Sequence, residues 1–351
     1  QLYGGAKNCT VGCLGFGTCV KACQFNALEM GHDNVPVVKV ENCVGCGACQ
    51  AVCPKGIMQV RTPSQRVLRF HDRTDRLAPC HQTCPAEINI PKYINHIKRG
   101  EYDQAYLTVM ERNPMPLSIG RVCPHPCEDA CRRAVGGGDD PISINQLKRF
   151  CSDWVFDNNA PINIPVAPDT GFKVAVVGGG PSGLSAAFFL RRLGHRVKIY
   201  EWMPELGGMI YYGIPEYRLP KAILGQDVQR ILDLGVEVKT GVKFGVDFNL
   251  ESLVGGGYDA VLTSIGAWNH ASARIPDEDE VKGVIPATIF LRRQGLGEAN
   301  PIGKRVGVIG GGNVAMDALR TSLRLGAEKV YCLYRREIKD MPANQVEIEA
   351  C

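Results

Sequence analysis

The chain has 351 residues, a length that suits two or three domains with hydrophobic cores of their own. Charged residues make up 22% and the formal net charge is +4, too small a basic excess to argue for nucleic acid as a partner. No apolar stretch approaches the length of a membrane span, so a soluble, cytoplasmic chain is expected. The sequence starts at Gln1 rather than methionine and stops at Cys351 within a nucleotide-binding pattern, and it reads as a segment of a longer protein.

Residues 1–65 read as a module built around cysteine. Thirteen of the sixteen cysteines lie in the first 131 residues. Cys9, Cys13, Cys19 and Cys23 form a loose run, and Cys43-x2-Cys46-x2-Cys49-x3-Cys53, followed by Pro54, a tight one. The tight run has the spacing with which bacterial ferredoxins hold cubane iron–sulfur clusters, the fourth cysteine of each run reaching the other cluster. Cys9, Cys13, Cys19 and Cys53 would then hold one [4Fe-4S] cluster, and Cys43, Cys46, Cys49 and Cys23 a second. Disulfides are disfavoured, because no signal peptide precedes the run and nucleotide motifs follow it. Zinc ribbons space their cysteine pairs as two separated knuckles, unlike this run. Gly12, Gly15, Gly17, Gly45 and Gly47 interleave the ligands, as expected where backbone N–H groups turn toward cluster sulfides. A module this small is expected to need its cofactors in order to fold.

Thr62 to Arg66 reads as a linker. Within residues 71–160, Pro91 opens a helical pattern with Tyr93, Ile94 and Ile97 on one face, continued by Tyr102, Tyr106, Val109 and Met110. Five further cysteines are in phase here, Cys80-x3-Cys84-Pro85 and Cys123-x3-Cys127-x3-Cys131. A proline-rich link (Pro161, Pro165, Pro168) leads to Phe172. From there short β-rich runs alternate with helical ones, as parallel α/β architecture requires.

Lys173 to Val177 is an apolar strand running into Gly178-x-Gly180-x-x-Gly183 and a helix, Leu184 to Leu193. A second strand, Val197 to Tyr200, ends in Glu201, 18 residues past Gly183, where an acid should meet a ribose. The glycines let the backbone approach a pyrophosphate, which sits on the positive end of the helix. The grammar recurs as a strand Arg305 to Ile309, Gly310-x-Gly312-x-x-Ala315, a helix through Leu325 and a strand Val330 to Tyr334. This last strand runs into Arg335-Arg336, whose guanidinium groups suit a 2′-phosphate. The first site thus suits FAD and the second NADPH. Without ligands, the first loop would be only a tight strand–helix turn and the arginines a solvated strand end. Tyr258 to Gly266 is an apolar strand ending in a small-residue turn that would return the backbone toward a bound flavin. The seven histidines form no constellation, no side chain stands out as a catalytic acid or base, and Cys151 and Cys332 read as buried thiols.

A series of blocks carries a specific resemblance: Cys84-Pro85, Gly120 to Pro124, Cys127-Glu128, Cys131, Gly178 to Leu184, Gly207 to Met209, Tyr212 to Pro215, Tyr217 to Pro220, Gly310 to Asp317, Tyr334 to Arg336 and Met341-Pro342. From about Asp72 onward the chain resembles the small subunit of glutamate synthase and its relatives. These include the large subunit of NADH-dependent ferredoxin:NADP oxidoreductase and the N-terminal half of dihydropyrimidine dehydrogenase. Residues 1 to about 60 are similar to the cluster domain of the B subunit of Rnf electron-transport complexes. The resemblance implies a multidomain α/β protein with a two-cluster ferredoxin-like α+β head over residues 1–65 and a small helical iron–sulfur domain over 71–160. The first half of an FAD-binding domain would follow over 170–303 and a truncated NADP-binding domain over 304–351, Rossmann-like and nested. FAD would be held by Gly178, Gly180, Pro181, Ser182, Gly183 and Glu201, with Gly208, Gly213, Ile214 and Gly266 near its phosphates or ring. NADP(H) would be held by Gly310, Gly312, Asn313, Val314, Arg335 and Arg336. Larger relatives have two more cysteines upstream of Cys80, where Asp72 and Asp75 stand here. Five cysteines cannot supply eight ligands, so one cluster is expected in this segment and three [4Fe-4S] clusters in all. Its ligands would be Cys84, Cys123 and Cys127, with Cys80 or Cys131 as the fourth.

A nicotinamide gives up two electrons as a hydride and a cubane takes one, so a flavin belongs between them. The expected function is an NAD(P)H-dependent FAD and iron–sulfur oxidoreductase, passing electrons to or from ferredoxin or other iron–sulfur or flavin subunits of a larger complex, a bifurcating one among the candidates. Two alternatives stand beside it. One is an NADPH-oxidising donor subunit of a glutamate-synthase-like enzyme; the other is a non-catalytic wiring or docking subunit with vestigial nucleotide folds.

Overall fold

The computed structural model describes residues 13–32, 34–60, 78–270, 272–273, 275–278 and 280–351. Cys9, Asp72, Asp75 and the linker expected at Thr62 to Arg66 lie outside these residues. The first elements are short and are set by glycine. Helix α1 (Thr18–Lys21) follows Gly17 at φ 64°, strands β1 (Leu28–Met30) and β2 (Pro36–Val38) pair antiparallel, and α2 (Ala48–Ala51) follows Gly47 at φ 81°. Each one-turn helix carries a cysteine, Cys19 or Cys49, and the two helices pack together.

Among the described residues seven helices follow: α3 (Pro79–Thr83), α4 (Ile90–Lys98), α5 (Tyr102–Met110), α6 (Pro116–Val122), α7 (Pro126–Asp129), α8 (Arg132–Gly137) and α9 (Ile144–Asp157). Proline opens α3, α6 and α7, where its missing N–H costs no helical hydrogen bond. The pattern expected to continue from Pro91 to Met110 is broken at Gly100, whose φ of 77° ends α4 before α5 begins. Two compact units result. One takes the described part of residues 1–95 with residues 125–144; the other takes 96–124 with 145–351. The segment expected over 71–160 is therefore shared between them. In the second unit Tyr106, Met110, Met115 and Val155 join the core of the nucleotide-binding fold.

That fold begins with β3 (Lys173–Val177), α10 (Pro181–Arg192), β4 (Arg196–Tyr200), α11 (Met209–Tyr212), α12 (Lys221–Leu232), β5 (Glu237–Lys239), α13 (Leu250–Gly255) and β6 (Ala260–Thr263). The sheet is parallel in the order β5-β4-β3-β6, so β3 lies between β4 and β6. Burial of Val174, Val176, Leu184, Phe188, Val197 and Ile199 welds β3, α10 and β4 together. The proline-rich stretch is irregular yet held in place: Ile162 and Ile164 pack on this core, and the Ala167 N–H donates to the Arg192 carbonyl. The chain continues with α14 (Ala287–Gly295), β7 (Arg305–Ile309), α15 (Asn313–Arg324), β8 (Lys329–Leu333) and α16 (Gln345–Glu349), with β7 and β8 pairing parallel. Cys151 is fully buried as expected, but Cys332 is exposed. It lies on β8, where Tyr331 and Leu333 are also exposed, because among the described residues this sheet has two strands and β8 is an edge. Among the described residues no helix is long and apolar enough to cross a membrane.

Candidate functional site

The first glycine loop leaves the carboxyl end of β3, the middle of the sheet, where parallel α/β folds bind ligands. Gly178 has φ 107°, and a Cβ there would stand 2.3 Å from the Ser264 carbonyl oxygen. A Cβ on Gly183 would meet the Gly178 carbonyl oxygen at 1.8 Å, so the loop and α10 close only around glycine. Gly208, at φ 53°, leans on Gly180, and the Gly207 N–H donates to the Gly179 carbonyl at 2.8 Å. Gly180 precedes α10 with no side chain capping its first turn; Pro181 and the exposed Ser182 follow. This uncapped helix start on a loop stripped of side chains fits a pyrophosphate. Glu201 is buried at 5% exposure; its Oε2 accepts from the Gly179 N–H at 2.5 Å and its Oε1 from the Met203 N–H at 2.8 Å. Each oxygen keeps a lone pair for a ribose hydroxyl. Gly213 ends α11, the carbonyl of Ile214 accepts from Lys221 Nζ at 2.7 Å, and Gly266 takes φ 71° beyond β6. Burial holds the Lys221 ammonium below its ordinary pKa.

The second loop repeats this geometry with looser packing. Gly310 has φ 137°, and Ala315 stands in the third place without a clash. A Cβ on Gly311 would strike the Tyr334 ring at 2.8 Å, whereas none within 4 Å would meet one on Gly312, which precedes an uncapped α15. The Asn313 side-chain oxygen accepts from the Asn344 N–H at 2.8 Å and ties α15 to the start of α16, while Val314 is exposed. Arg335 and Arg336 follow β8, both exposed and, among the described residues, without an ion pair.

In the first unit one cavity is lined by Cys13, Cys19 and Cys53, joining two cysteines of the loose run to the last of the tight one. The Gly15 N–H points at Cys13 Sγ, 3.4 Å away. Burial pushes the Cys53 thiol up, but the N–H groups of Met58, Lys55, Ile57 and Gly56 outweigh it and hold the thiol below its ordinary value. A ring of N–H groups around a sulfur is what a thiolate ligand requires. The Cys49 thiol is pushed up, first by burial and then by the neighbouring Cys43 and Cys46 sulfurs. Cys23 lies just past α1 and is half-buried. Helix α3, with Cys80, packs on α7, with Cys127; Cys84 closes α3 and Cys131 precedes α8. In the second unit Cys123 closes α6. No three His, Cys, Asp or Glu side chains among the described residues converge as ligands of one metal ion would. A cubane instead spreads its four thiolates over four irons.

The sequence reading passed over the device that fixes α6. Asp227 of α12 is fully buried; its Oδ2 accepts from the Ser118 N–H at 2.7 Å and its Oδ1 from the Leu117 N–H at 3.4 Å, a cap supplied from 109 residues away. Arg121 pairs with Asp153 at 2.8 Å, and Gly120 approaches the Arg149 backbone so closely that a Cβ would stand 3.1 Å from its Cα. The block from Gly120 to Cys123 is thereby clamped between α9 and α12.

A parallel sheet with a pyrophosphate-shaped loop, a second such loop and cysteine runs ahead of both define a dinucleotide-binding oxidoreductase with iron–sulfur domains. Residues 172–348 match the family described as pyridine nucleotide-disulphide oxidoreductase, and the chain belongs to it. Residues 8–57 match a 4Fe-4S dicluster domain, and residues 59–160 match dihydropyrimidine dehydrogenase domain II, 4Fe-4S cluster. The chain is 40% identical over 296 residues to the NADP(+)-dependent formate dehydrogenase subunit beta of Moorella thermoacetica, covering 77% of this chain and 41% of that one. It is 41% identical over 297 residues to the NADPH-Fe(3+) oxidoreductase subunit beta of Geobacter sulfurreducens, covering 84% and 43%. With the glutamate synthase [NADPH] small chain of Escherichia coli it shares 32% identity over 283 residues, 77% of this chain and 59% of that one. The resemblance to the glutamate synthase small subunit and the fusion of iron–sulfur to nucleotide-binding domains are thus borne out. The chain spans 41% and 43% of the length of the first two of these relatives.

Proposed function

We propose that this chain carries the nucleotide sites and clusters of an NAD(P)H-dependent oxidoreductase, in which electrons pass between NADP(H), FAD and three [4Fe-4S] clusters, to or from ferredoxin or a partner subunit. The observation that carries this reading is the pair of uncapped helix starts on one chain, one beside the carboxylate of Glu201 and the other followed by Arg335 and Arg336. The first suits a ribose with free hydroxyls and the second a ribose bearing a phosphate. A bound flavin accepts the two electrons of a hydride and releases them singly. The residues supply placement: Gly178, Gly180, Gly183 and Gly208 keep side chains away from one pyrophosphate, and Gly310 and Gly312 from the other. In the head, Cys13, Cys19 and Cys53 with Cys9 hold one cluster, and Cys23, Cys43, Cys46 and Cys49 the next. The cysteines of residues 80–131 hold the third.

The test is Cys46→Ser in the whole protein, followed by stopped-flow flavin bleaching beside steady-state reduction of ferredoxin. Bleaching by NADPH should survive while ferredoxin reduction falls sharply. Unchanged ferredoxin reduction would remove the head from the path, and absence of bleaching in the unmodified protein would overturn the reading.

A further inference from the structure

We infer that Trp202 and Trp268 clamp the adenine ring of the dinucleotide bound at the first glycine loop. The inference rests on reading that loop as the FAD site. Trp202 directly follows Glu201 at the carboxyl end of β4, and Trp268 lies just past Gly266, beyond the carboxyl end of β6. Strands β4 and β6 flank β3, so the two indoles meet across the end of the strand that delivers Gly178. Their ring centroids are 6.2 Å apart at an interplanar angle of 79°. Each indole is anchored by a cation, Lys243 Nζ at 4.8 Å from the Trp202 centroid and the Arg292 guanidinium at 5.8 Å from that of Trp268. Trp268 also rests on the buried Tyr212, 5.9 Å between centroids.

Trp202 remains 41% exposed although the residue before it is almost wholly buried. An indole left this exposed beside the glycine loop offers a flat apolar face to a flat ligand. The order of groups decides which part of the dinucleotide meets it. Along the protein come the uncapped helix start, the carboxylate of Glu201 and the indole of Trp202. Along the ligand come pyrophosphate, ribose and base, each facing the group of matching chemistry. A purine entering here replaces the edge-to-face contact of the two indoles with stacking on them.

The experiment uses flavin-free whole protein and two probes, ADP, which has the base but no flavin, and FMN, which has the flavin but no base. ADP should quench tryptophan emission in the unmodified protein and in Trp154→Phe, since Trp154 packs on Tyr102 instead. Quenching should be lost in Trp202→Leu and Trp268→Leu. Base–aromatic stacking is worth enough that FAD affinity by equilibrium dialysis should weaken on the order of tenfold in each Leu variant. Trp202→Phe and Trp268→Phe, which still stack, should keep most of it. Unchanged FAD affinity in the Leu variants, with iron content and circular dichroism intact, overturns the clamp and leaves the loop as the FAD site. Quenching by FMN but not by ADP overturns the adenine assignment. Equal loss of FAD from the Phe and Leu variants makes the pair structural and also overturns it. Failure of the unmodified protein to bind either FAD or ADP overturns the reading of the loop itself.

Discussion

Arg218 Nη1 donates to Asp317 Oδ2 at 2.6 Å, joining residues 99 apart that belong to the two successive dinucleotide-binding patterns. Arg218 Nε reaches Glu347 at 2.9 Å, Arg320 pairs with the same carboxylate, and Arg320 and Arg324 lie over the Tyr217 ring at 4.7 and 4.1 Å. Asp317 is only 3% exposed; burial pushes its carboxyl up to about 6 against the pull of Arg218. Removing one member of such a pair leaves an uncompensated buried charge. Arg218→Met should therefore destabilise the second unit by about 3 kcal/mol in denaturant unfolding, and Arg218→Met with Asp317→Leu by less than the single change. A loss below about 1 kcal/mol for the single variant would class the contact with exposed ion pairs.

Local geometry was legible in the sequence, and distant pairing was not. The strands Lys173–Val177 and Arg305–Ile309 match the expected bounds, because each runs directly into a glycine at positive φ, Gly178 or Gly310, that turns the chain out of the sheet. The first helix starts at Pro181 rather than Leu184, since proline and the glycine-rich turn are themselves good first-turn residues. Cys332 is exposed rather than buried; an apolar run looks the same on a covered strand and on an edge strand. The partners of Arg218, Asp227 and Trp202 were invisible for another reason. Each is chosen by tertiary packing across tens to more than a hundred residues, and no local periodicity records it.

Asp227 should give the protein a pH-dependent stability. Burial raises its carboxyl from the ordinary 3.8 to about 7, although the Ser118 and Leu117 N–H groups pull it down. The folded state thus holds this proton more tightly than the unfolded one. Its contribution is full below pH 3.8 and is lost as pH rises through about 7. The slope from one such group is at most about 1.4 kcal/mol per pH unit. Asp227→Asn should flatten the stability profile over that window, measured by urea unfolding at several pH values. Asp227→Ala should in addition cost about 1–2 kcal/mol at every pH, because two buried N–H groups of α6 lose their acceptor. A profile unchanged by Asp227→Asn would show that the carboxyl titrates normally.

Arg335 and Arg336 should set nucleotide preference. Both are exposed just past β8, beside a loop that tolerates a Cβ at its third position. A charge-assisted hydrogen bond to a phosphate is worth roughly 1.5–3 kcal/mol. With one such bond from each arginine, replacing both by Gln should therefore weaken NADPH binding on the order of a hundredfold to ten-thousandfold while leaving NADH nearly unchanged. Equal weakening of both nucleotides, measured as Kd by titration, would assign the arginines to the surface.

The cavity shared by Cys13, Cys19 and Cys53 predicts which cysteines fail together. The ferredoxin-like spacing assigns Cys53 to the loose run rather than to Cys43, Cys46 and Cys49, and the cavity brings Cys53 beside Cys13 and Cys19. Cys53→Ser and Cys19→Ser should then alter the same electron paramagnetic resonance signal of the reduced protein, and Cys46→Ser a different one. The unmodified protein, purified without oxygen, should carry about twelve irons per chain, four for each of three cubanes. About eight would remove the cluster assigned to residues 80–131, and about sixteen would mean that its five cysteines are not the whole ligand set. Should Cys53→Ser instead share its spectral change with Cys46→Ser, the two runs would each hold their own cluster and the crossed assignment would fall.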